Sequence, residues 1–431
     1  MQPERTIVAR TRLPLILIAV LLFSELVSPA RIWVYLLVGV AGMWGAAFVW
    51  ARQMRDRVSL ERRTSGTWVT VGDVLEERFL LRNDSLAPVI WAEVRDLSTA
   101  PGYDAGQVVA CDSQGEYRWI TKGECSRRGV FTLGPTEVHL GDPFGLFRVV
   151  LRYPETETIV VYPRVMHLPT LDLPRGSASG RSRSSRRSFQ QSLLAASVRD
   201  YQPGDSLHVI HWPLSAHRGE LMVKEFDTEL SGNLWIILDL DAAVQVGMGE
   251  ESTLEYGVIL AASLASEFLR GGERRAVGLV AFGAQESLLL PAPGQGQMWR
   301  ILRALAGAAP SPAWPLRRVL TEVGPTLGRG QTVAIITAAV SSDWVPALLP
   351  LARRGMSPAA ILIDGGSFDG KGRCSEELHA LRALLAEQEV PSHVIQQGYP
   401  FRPLVRQVRR RVDYKVLGTG RVVPVVVEEE A

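Results

Sequence analysis

The chain has 431 residues, 46% of them hydrophobic and 21% charged, and a formal net charge of +2. Single cores seldom grow past about 250 to 300 residues, so several folded modules are expected, and a composition this close to the globular average excludes a chain that is mostly disordered. The near-neutral balance excludes a protein whose main task is to coat nucleic acid; the three cysteines, Cys111, Cys125 and Cys374, lack metal-ligand spacing and suit reduced thiols in a cytoplasm.

Residues 13–27 and 32–50 are nearly continuous apolar runs separated by Ser28, Pro29 and Ala30. They predict a transmembrane helical hairpin within an anchor of residues 1–57. A spanning helix needs roughly 20 residues, so the second run fits a bilayer well while the first is short and carries Glu25 near its end. Arg5, Arg10 and Arg12 precede the hairpin and Arg52, Arg55, Arg57, Arg62 and Arg63 follow it, against Arg31 alone in the turn. The positive-inside rule then predicts a two-pass protein of a bacterial inner membrane, with its soluble regions in the cytoplasm. A cleaved signal peptide ending at Ser28-Pro29-Ala30 is the alternative, and it leaves everything after Arg52 on the same side. Trp33, Tyr35 and Trp50, near the ends of the second run, are placed as interfacial aromatics and weigh against a buried core hairpin.

Over residues 63–170 short alternating runs rich in Val, Thr, Phe and Leu, punctuated by Gly, Asn, Asp and Pro, predict a β-sandwich-like domain. Residues 171–196 form an Arg/Ser/Gly-rich linker whose stretch 175–187 has no apolar periodicity and cannot offset its ordering entropy. A solvated linker outweighs contact with lipid or nucleic acid there.

The next segment, 197–233, is dense in charged, aromatic and turn residues: Arg199-Asp200-Tyr201, Pro203-Gly204-Asp205, His211-Trp212, Ser215-Ala216 with Arg218, and Glu225-Phe226. This pattern resembles the signature of the bacterial family catalogued as "domain of unknown function 58". Two upstream motifs, RRGVFTLG and DPFGLF (residues 142–147), are also similar to that family. His208 and His217 stand where arginines are common in it. The resemblance implies a membrane-anchored protein with a β domain and a von Willebrand factor A-like α/β domain. It also implies an association with MoxR-type AAA+ ATPases and transglutaminase-like membrane proteins as partners.

Residues 234–412 alternate unbroken apolar runs (LWIILDLD, AVGLVAFG, TVAIITAAV, AAILIDGG) with helix-period segments. The alternation predicts an α/β domain with a mainly parallel sheet, followed by a tail over residues 413–431. No GxGxxG turn or Walker-type loop follows the first strand, and Gly294 and Gly296 read as a plain turn, so no cofactor is expected. Von Willebrand A-type metal sites use an Asp-x-Ser-x-Ser turn. Here Asp239-Leu240-Asp241-Ala242-Ala243 lacks both serines, and Thr337-Ala338 stands where an acidic residue is wanted. No metal is expected; Asp239 and Asp241 are the weaker candidates, read otherwise as caps of the following loop.

His208, His211 and His217 near Asp205 invite a metallohydrolase, yet His208 and His211 flank Val-Ile in a strand-like stretch and point to opposite faces. Arg199, Asp205, Trp212, Arg218 and Glu225 are instead expected to form a buried charge and hydrogen-bond network that fastens the segment to the α/β domain. With Asp200, Tyr201, Pro203, Gly204, His211 and Ser215 they are the candidate binding residues. The expected function is non-enzymatic: a membrane-anchored binding or scaffold protein serving a MoxR-type ATPase in envelope-associated assembly. The alternative is a metal-dependent hydrolase built on Asp205, His211 and Asp239.

Overall fold

The computed structural model describes residues 3–64, 66, 68–168, 195–201, 210–226, 233–270, 276–369, 376–403, 408–416 and 422–430. The predicted linker, apart from Ala195 and Ala196, lies outside them, as do Pro203, Gly204, Asp205, His208 and Cys374.

The chain opens with a strand that the sequence reading does not contain. β1 (Glu4–Ala9) precedes helix α1 (Leu13–Val27) and helix α2 (Arg31–Arg57). The Thr6-Ile7-Val8 core of β1 favours extended backbone. Among the described residues α2 is the one helix long and apolar enough to cross a membrane, and α1 is shorter. Both expose apolar side chains: Leu13, Phe23 and Leu26 on α1, Ile32, Tyr35 and Val38 on α2.

After α2 come β2 (Val58–Thr64), β3 (Trp68–Thr70), β4 (Val74–Asn83), β5 (Val89–Asp96), β6 (Gln107–Cys111), β7 (Gly115–Glu124), β8 (Gly129–Leu133), β9 (Thr136–Gly141), β10 (Phe147–Tyr153) and β11 (Glu157–Tyr162). They make three mostly antiparallel sheets, ordered β1-β10-β9-β5-β6, β2-β4-β7 and β3-β11-β8. The alternating burial of β4 and β10 is the period-2 pattern of a strand with one face on a core. β1 joins this region from before the helices: Glu4 lies opposite Arg152 and Ala9 opposite Phe147 on β10. The C-terminal half of α2 joins the same core from the other direction. Ala47, Ala51 and Met54, spaced to share one helix face, are each 0% exposed. Trp44 and Phe48 pack on Phe147, with ring centroids 5.8 and 5.7 Å away.

One buried charge cluster sits inside these sheets. Arg62 on β2 donates to Glu77 on β4 (2.6 Å) and to Asp96 on β5 (2.9 Å), and the Tyr103 hydroxyl donates to the same Glu77. Burial holds the Tyr103 phenol above its ordinary range, so it remains a neutral donor.

β12 (Met166–His167) leads to β13 (Ala195–Asp200), α3 (Trp212–Arg218) and β14 (Met222–Phe226). The C-terminal region then runs through β15 (Leu234–Asp239), a small hairpin of β16 (Gly247–Met248) and β17 (Glu251–Ser252), α4 (Thr253–Arg270), β18 (Val277–Phe282), β19 (Glu286–Ala292), α5 (Gln295–Ala306), α6 (Leu316–Val323), β20 (Thr332–Thr337), α7 (Val345–Arg353), β21 (Ser357–Ile363), α8 (Gly365–Phe368), α9 (Glu376–Glu387) and β22 (Ser392–Ile395). Its sheet is ordered β19-β18-β15-β20-β21-β22, with β19 antiparallel and the other pairings parallel. Every residue of β15, β18 and β20 is buried, as parallel strands covered on both faces require. One face packs Leu234, Ile236 and Leu238 on α4 and α5; the other packs Trp235 and Ile237 on α6, α7 and α9. β23 (Arg402–Pro403) pairs with β12, and a terminal hairpin of β24 (Val408–Val416) and β25 (Val422–Glu430) follows.

The two regions are joined by a buried arginine. Arg128, whose side chain is only 5% exposed, reaches from the β-rich region to Glu255 on α4 and donates to the carbonyls of Leu305 (3.1 Å) and Ala308 (2.7 Å). Trp68, Tyr162 and Trp299 also meet across the two regions, the Trp299 ring lying edge-on to Trp68 at 5.1 Å and tilted to Tyr162 at 5.4 Å between centroids. Removing the guanidinium leaves a largely buried carboxylate and two carbonyls unpaired, which costs about 3 kcal/mol when a buried pair is broken from one side. Arg128→Ala should therefore lower the denaturation midpoint and expose the region between the two parts to limited proteolysis; unchanged proteolysis and stability would show the clamp to be idle.

Candidate functional site

The segment singled out by its composition folds as a small clip. β13 and β14 pair antiparallel, with Arg199 opposite Val223 and Asp200 opposite Met222, and Ser197 opposite Glu225. By register the Arg199 and Glu225 positions share one face of the ribbon. Tyr201 N–H donates to the Leu221 carbonyl and His211 N–H to the Met222 carbonyl, both at 2.8 Å, which ties both residues to the start of β14.

Three residues hold α3 in place. The His211 side chain is its N-cap, with Nδ1 accepting from the Leu214 N–H at 3.2 Å, so the proton of a neutral ring sits on Nε2. Ser215, buried at 7% exposure, donates from Oγ to the His211 carbonyl (3.0 Å) and accepts from the Met222 N–H (2.9 Å). Gly219 ends the helix in the left-handed region at φ 74°, where a side chain would be strained. His211 and Ser215 are thereby spent on architecture.

The expected buried network is corrected on two members. Trp212 is 62% exposed and Arg218 is exposed, so neither is a buried anchor to the α/β region. The physical reason is the cap: with His211 and Ser215 turned inward, the remaining positions of a two-turn helix, Trp212, Pro213, Ala216, His217 and Arg218, face solvent. Asp200 is exposed and Tyr201 half-buried. Asp205 lies outside the described residues, as do the side chains of Arg199 and Glu225.

A second polar cluster lies at the carboxyl ends of the parallel strands. Asp239 ends β15 at 3% exposure; its Oδ2 accepts from Thr337 Oγ1 on β20 (2.6 Å) and its Oδ1 from the Asp241 N–H (3.0 Å). Asp241 in turn accepts from the Ala243 N–H at 3.0 Å. Both carboxylates therefore do what loop caps do. Asp364, which the sequence reading did not single out, follows β21 as the N-cap of α8 at 1% exposure and accepts from Gly366 N–H and Gln396 Nε2, each at 3.2 Å. An acid closing an unbroken apolar strand, as in AAILID, was the available signal. Among the described residues no group of three or more His, Cys, Asp or Glu is placed to share a metal; of the alternative hydrolase trio, Asp205 lies outside the described residues, while His211 caps α3 and Asp239 ends β15.

Burial pushes the Asp239 carboxyl up to about 6, against the hydrogen bonds from Thr337 and Asp241 that favour its charged form. The folded state thus binds this proton more tightly than the unfolded chain, and stability from this group is full at low pH and falls as pH rises from about 4 through about 6. Two pH units correspond to roughly 3 kcal/mol. Asp239→Asn, which keeps the shape and removes the titration, should gain stability relative to the parent between pH 4 and pH 7 in urea titrations. A difference that does not change with pH would sink this account.

Comparisons with known proteins bear on the same segment. Residues 197–363 match the family described as "Protein of unknown function DUF58". The chain is similar to the uncharacterised protein YeaD of Bacillus subtilis, 26% identical over 292 residues covering 66% of this chain and 71% of that one. It is also similar to the uncharacterised protein Rv1480 of Mycobacterium tuberculosis, 25% identical over 161 residues, or 36% of this chain and half of that one. A CARDB domain from Pyrococcus furiosus aligns with 24% of the chain at 13% identity and a TM-score of 0.19, too low to inform the fold. The match begins within β13 and ends with β21, so it takes in the clip and most of the mixed sheet: residues 197–363 carry a DUF58 family domain.

Proposed function

We propose that this chain is a two-pass, membrane-anchored binding or scaffold protein whose clip docks a cytoplasmic partner. The observation that carries the reading is Trp212: a tryptophan 62% exposed at the first turn of a helix capped at both ends, whose last turn carries exposed His217 and Arg218. Leaving an indole in water is unfavourable, and Trp and Arg are the side chains that most often dominate interface energetics. A rigid mount lowers the entropy lost on docking.

The anchor reading is supported by β1. Its pairing with β10 puts the residues before α1 and those after α2 in one sheet, which a hairpin crossing twice allows and a single crossing does not. A signal-peptide cleavage at residues 28–30 would remove that strand. The arginine bias around the hairpin then selects the cytoplasm as the common side. The sheet of five parallel strands and one antiparallel edge, with helices on both faces and Asp239 at the carboxyl end of its first strand, supports the von Willebrand factor A-like reading. A MoxR-type AAA+ ATPase as the docked partner, and a transglutaminase-like membrane protein as a neighbour, come from the family resemblance.

The test is capture from detergent-solubilised bacterial membranes by the intact chain and by Trp212→Ala, with mass spectrometry of the bound proteins. The intact chain should retain an AAA+ ATPase. The variant should bind it roughly 30-fold more weakly, the equivalent of a hot-spot loss of about 2 kcal/mol, while keeping its circular dichroism and melting temperature. Equal retention by both chains would remove Trp212 from the interface.

A further inference from the structure

Resting on the anchor reading, we infer that the β-rich region is itself seated in the membrane interface, with Leu86, Ile90 and Phe144 in contact with lipid. The argument starts from helix length. A bilayer core is about 30 Å thick, or about 20 helical residues. α1 has 15 residues, about 22 Å of helix. α2 is free of the β-rich region only over residues 31–42, about 18 Å, because Met43 and Trp44 already pack against its core. The apolar run of α2 nevertheless continues to Trp50, through the residues that pack on Phe147. If that run lies in the hydrocarbon, residues 43–50 lie at membrane depth, and whatever is bolted to them is carried in by about 10 Å.

What is bolted there is apolar and exposed. Leu86, 74% exposed, and Ala87 line a recess with Gly45, Ala46, Val49 and Trp50 of α2. Phe144, 50% exposed, tips the turn between β9 and β10, directly beside the entry to α1, where Arg10 N–H donates to the Leu146 carbonyl at 2.8 Å. That turn is built to hold the ring outward: Asp142, 3% exposed, accepts from the N–H of Phe144 (2.8 Å) and of Phe147 (2.5 Å). Ile90, 48% exposed, starts β5 at the same end, since Ala92 pairs with Leu140 near the close of β9. Exposed Arg10 and Arg12 stand at the same level, where anionic headgroups would meet them. Isolated exposed apolar residues are ordinary, but these lie at the base of an apolar helical pair. An interfacial depth of about 5 to 10 Å is what amphipathic surfaces reach.

The experiment uses the full-length chain in vesicles of phosphatidylethanolamine and phosphatidylglycerol. The three native cysteines are replaced by alanine, and a bimane label is attached at Leu86→Cys, Phe144→Cys, Ile120→Cys or Leu17→Cys. If that background does not fold, Cys111 and Cys125 are kept, because both are buried. Ile120 on β7 is 53% exposed and pairs with Arg78, five positions and about 17 Å along β4 from Asn83 at the hairpin end. Spin-labelled lipid with the quencher just below the headgroups should quench the labels at 86 and 144 and leave that at 120 bright. Quenching at 17 without quenching at 86 and 144 would overturn the seating and leave the anchor intact. No quenching at 17 would overturn the anchor, and the seating with it.

Discussion

The structure depends on one shared helix. α2 is continuous from Arg31 to Arg57, and its last three turns are core elements of the β-rich region, with Ala47, Ala51 and Met54 excluded from solvent. Alanine at two of these positions lets the helix axis approach the sheet closely, so the contact is made by backbone proximity as much as by side-chain bulk. Val58, the residue that caps α2 in extended conformation, is already the first residue of β2. There is no hinge between the apolar hairpin and the strands. β1 returns to the same sheet from the other end of the hairpin, so the helices and the β-rich region form one body. Arg128 then carries that rigidity across to the mixed sheet, through hydrogen bonds to the end of α5 and to Glu255.

The clip follows a different logic. Its described hydrogen bonds, from His211, Ser215 and Gly219 to neighbouring backbone, close on themselves. They fix the shape of α3 and leave Trp212 and Arg218 free in solvent. The polar residues at the carboxyl edge of the mixed sheet behave in the opposite way. Asp239, Asp364 and Thr337 are buried and hydrogen-bonded to one another or to the backbone of the loops that follow their strands.

Much of the mixed sheet was legible because fully buried parallel strands leave an unmistakable run, as in LWIILD and TVAIIT. The alternation of EERFLLRN likewise announced β4. β1 was not legible: its six residues are flanked by arginines and abut a helix, and their partner lies in β10 on the far side of the hairpin and most of the β-rich region. No local pattern reports a pairing of that span. The clip shows the other limit. Residue types identified the segment, but whether Trp212 turns inward or outward is decided by a cap that His211 and Ser215 make together, and a helix of two turns has too few residues for periodicity to declare a face.

The pairing of β1 with β10 also has a temporal side. Thr6 and Val150, hydrogen-bonded neighbours in the finished sheet, are separated by 144 residues. At typical elongation rates of about 5 to 20 residues per second, β1 leaves the ribosome roughly 7 to 30 seconds before its partner. During that interval the two helices behind it are already made, while a strand rich in β-branched residues waits unpaired. Synthesis of this protein therefore orders its own steps: the two helices come first, and completion of the five-stranded sheet is the event that latches the two chain ends of the helical pair together.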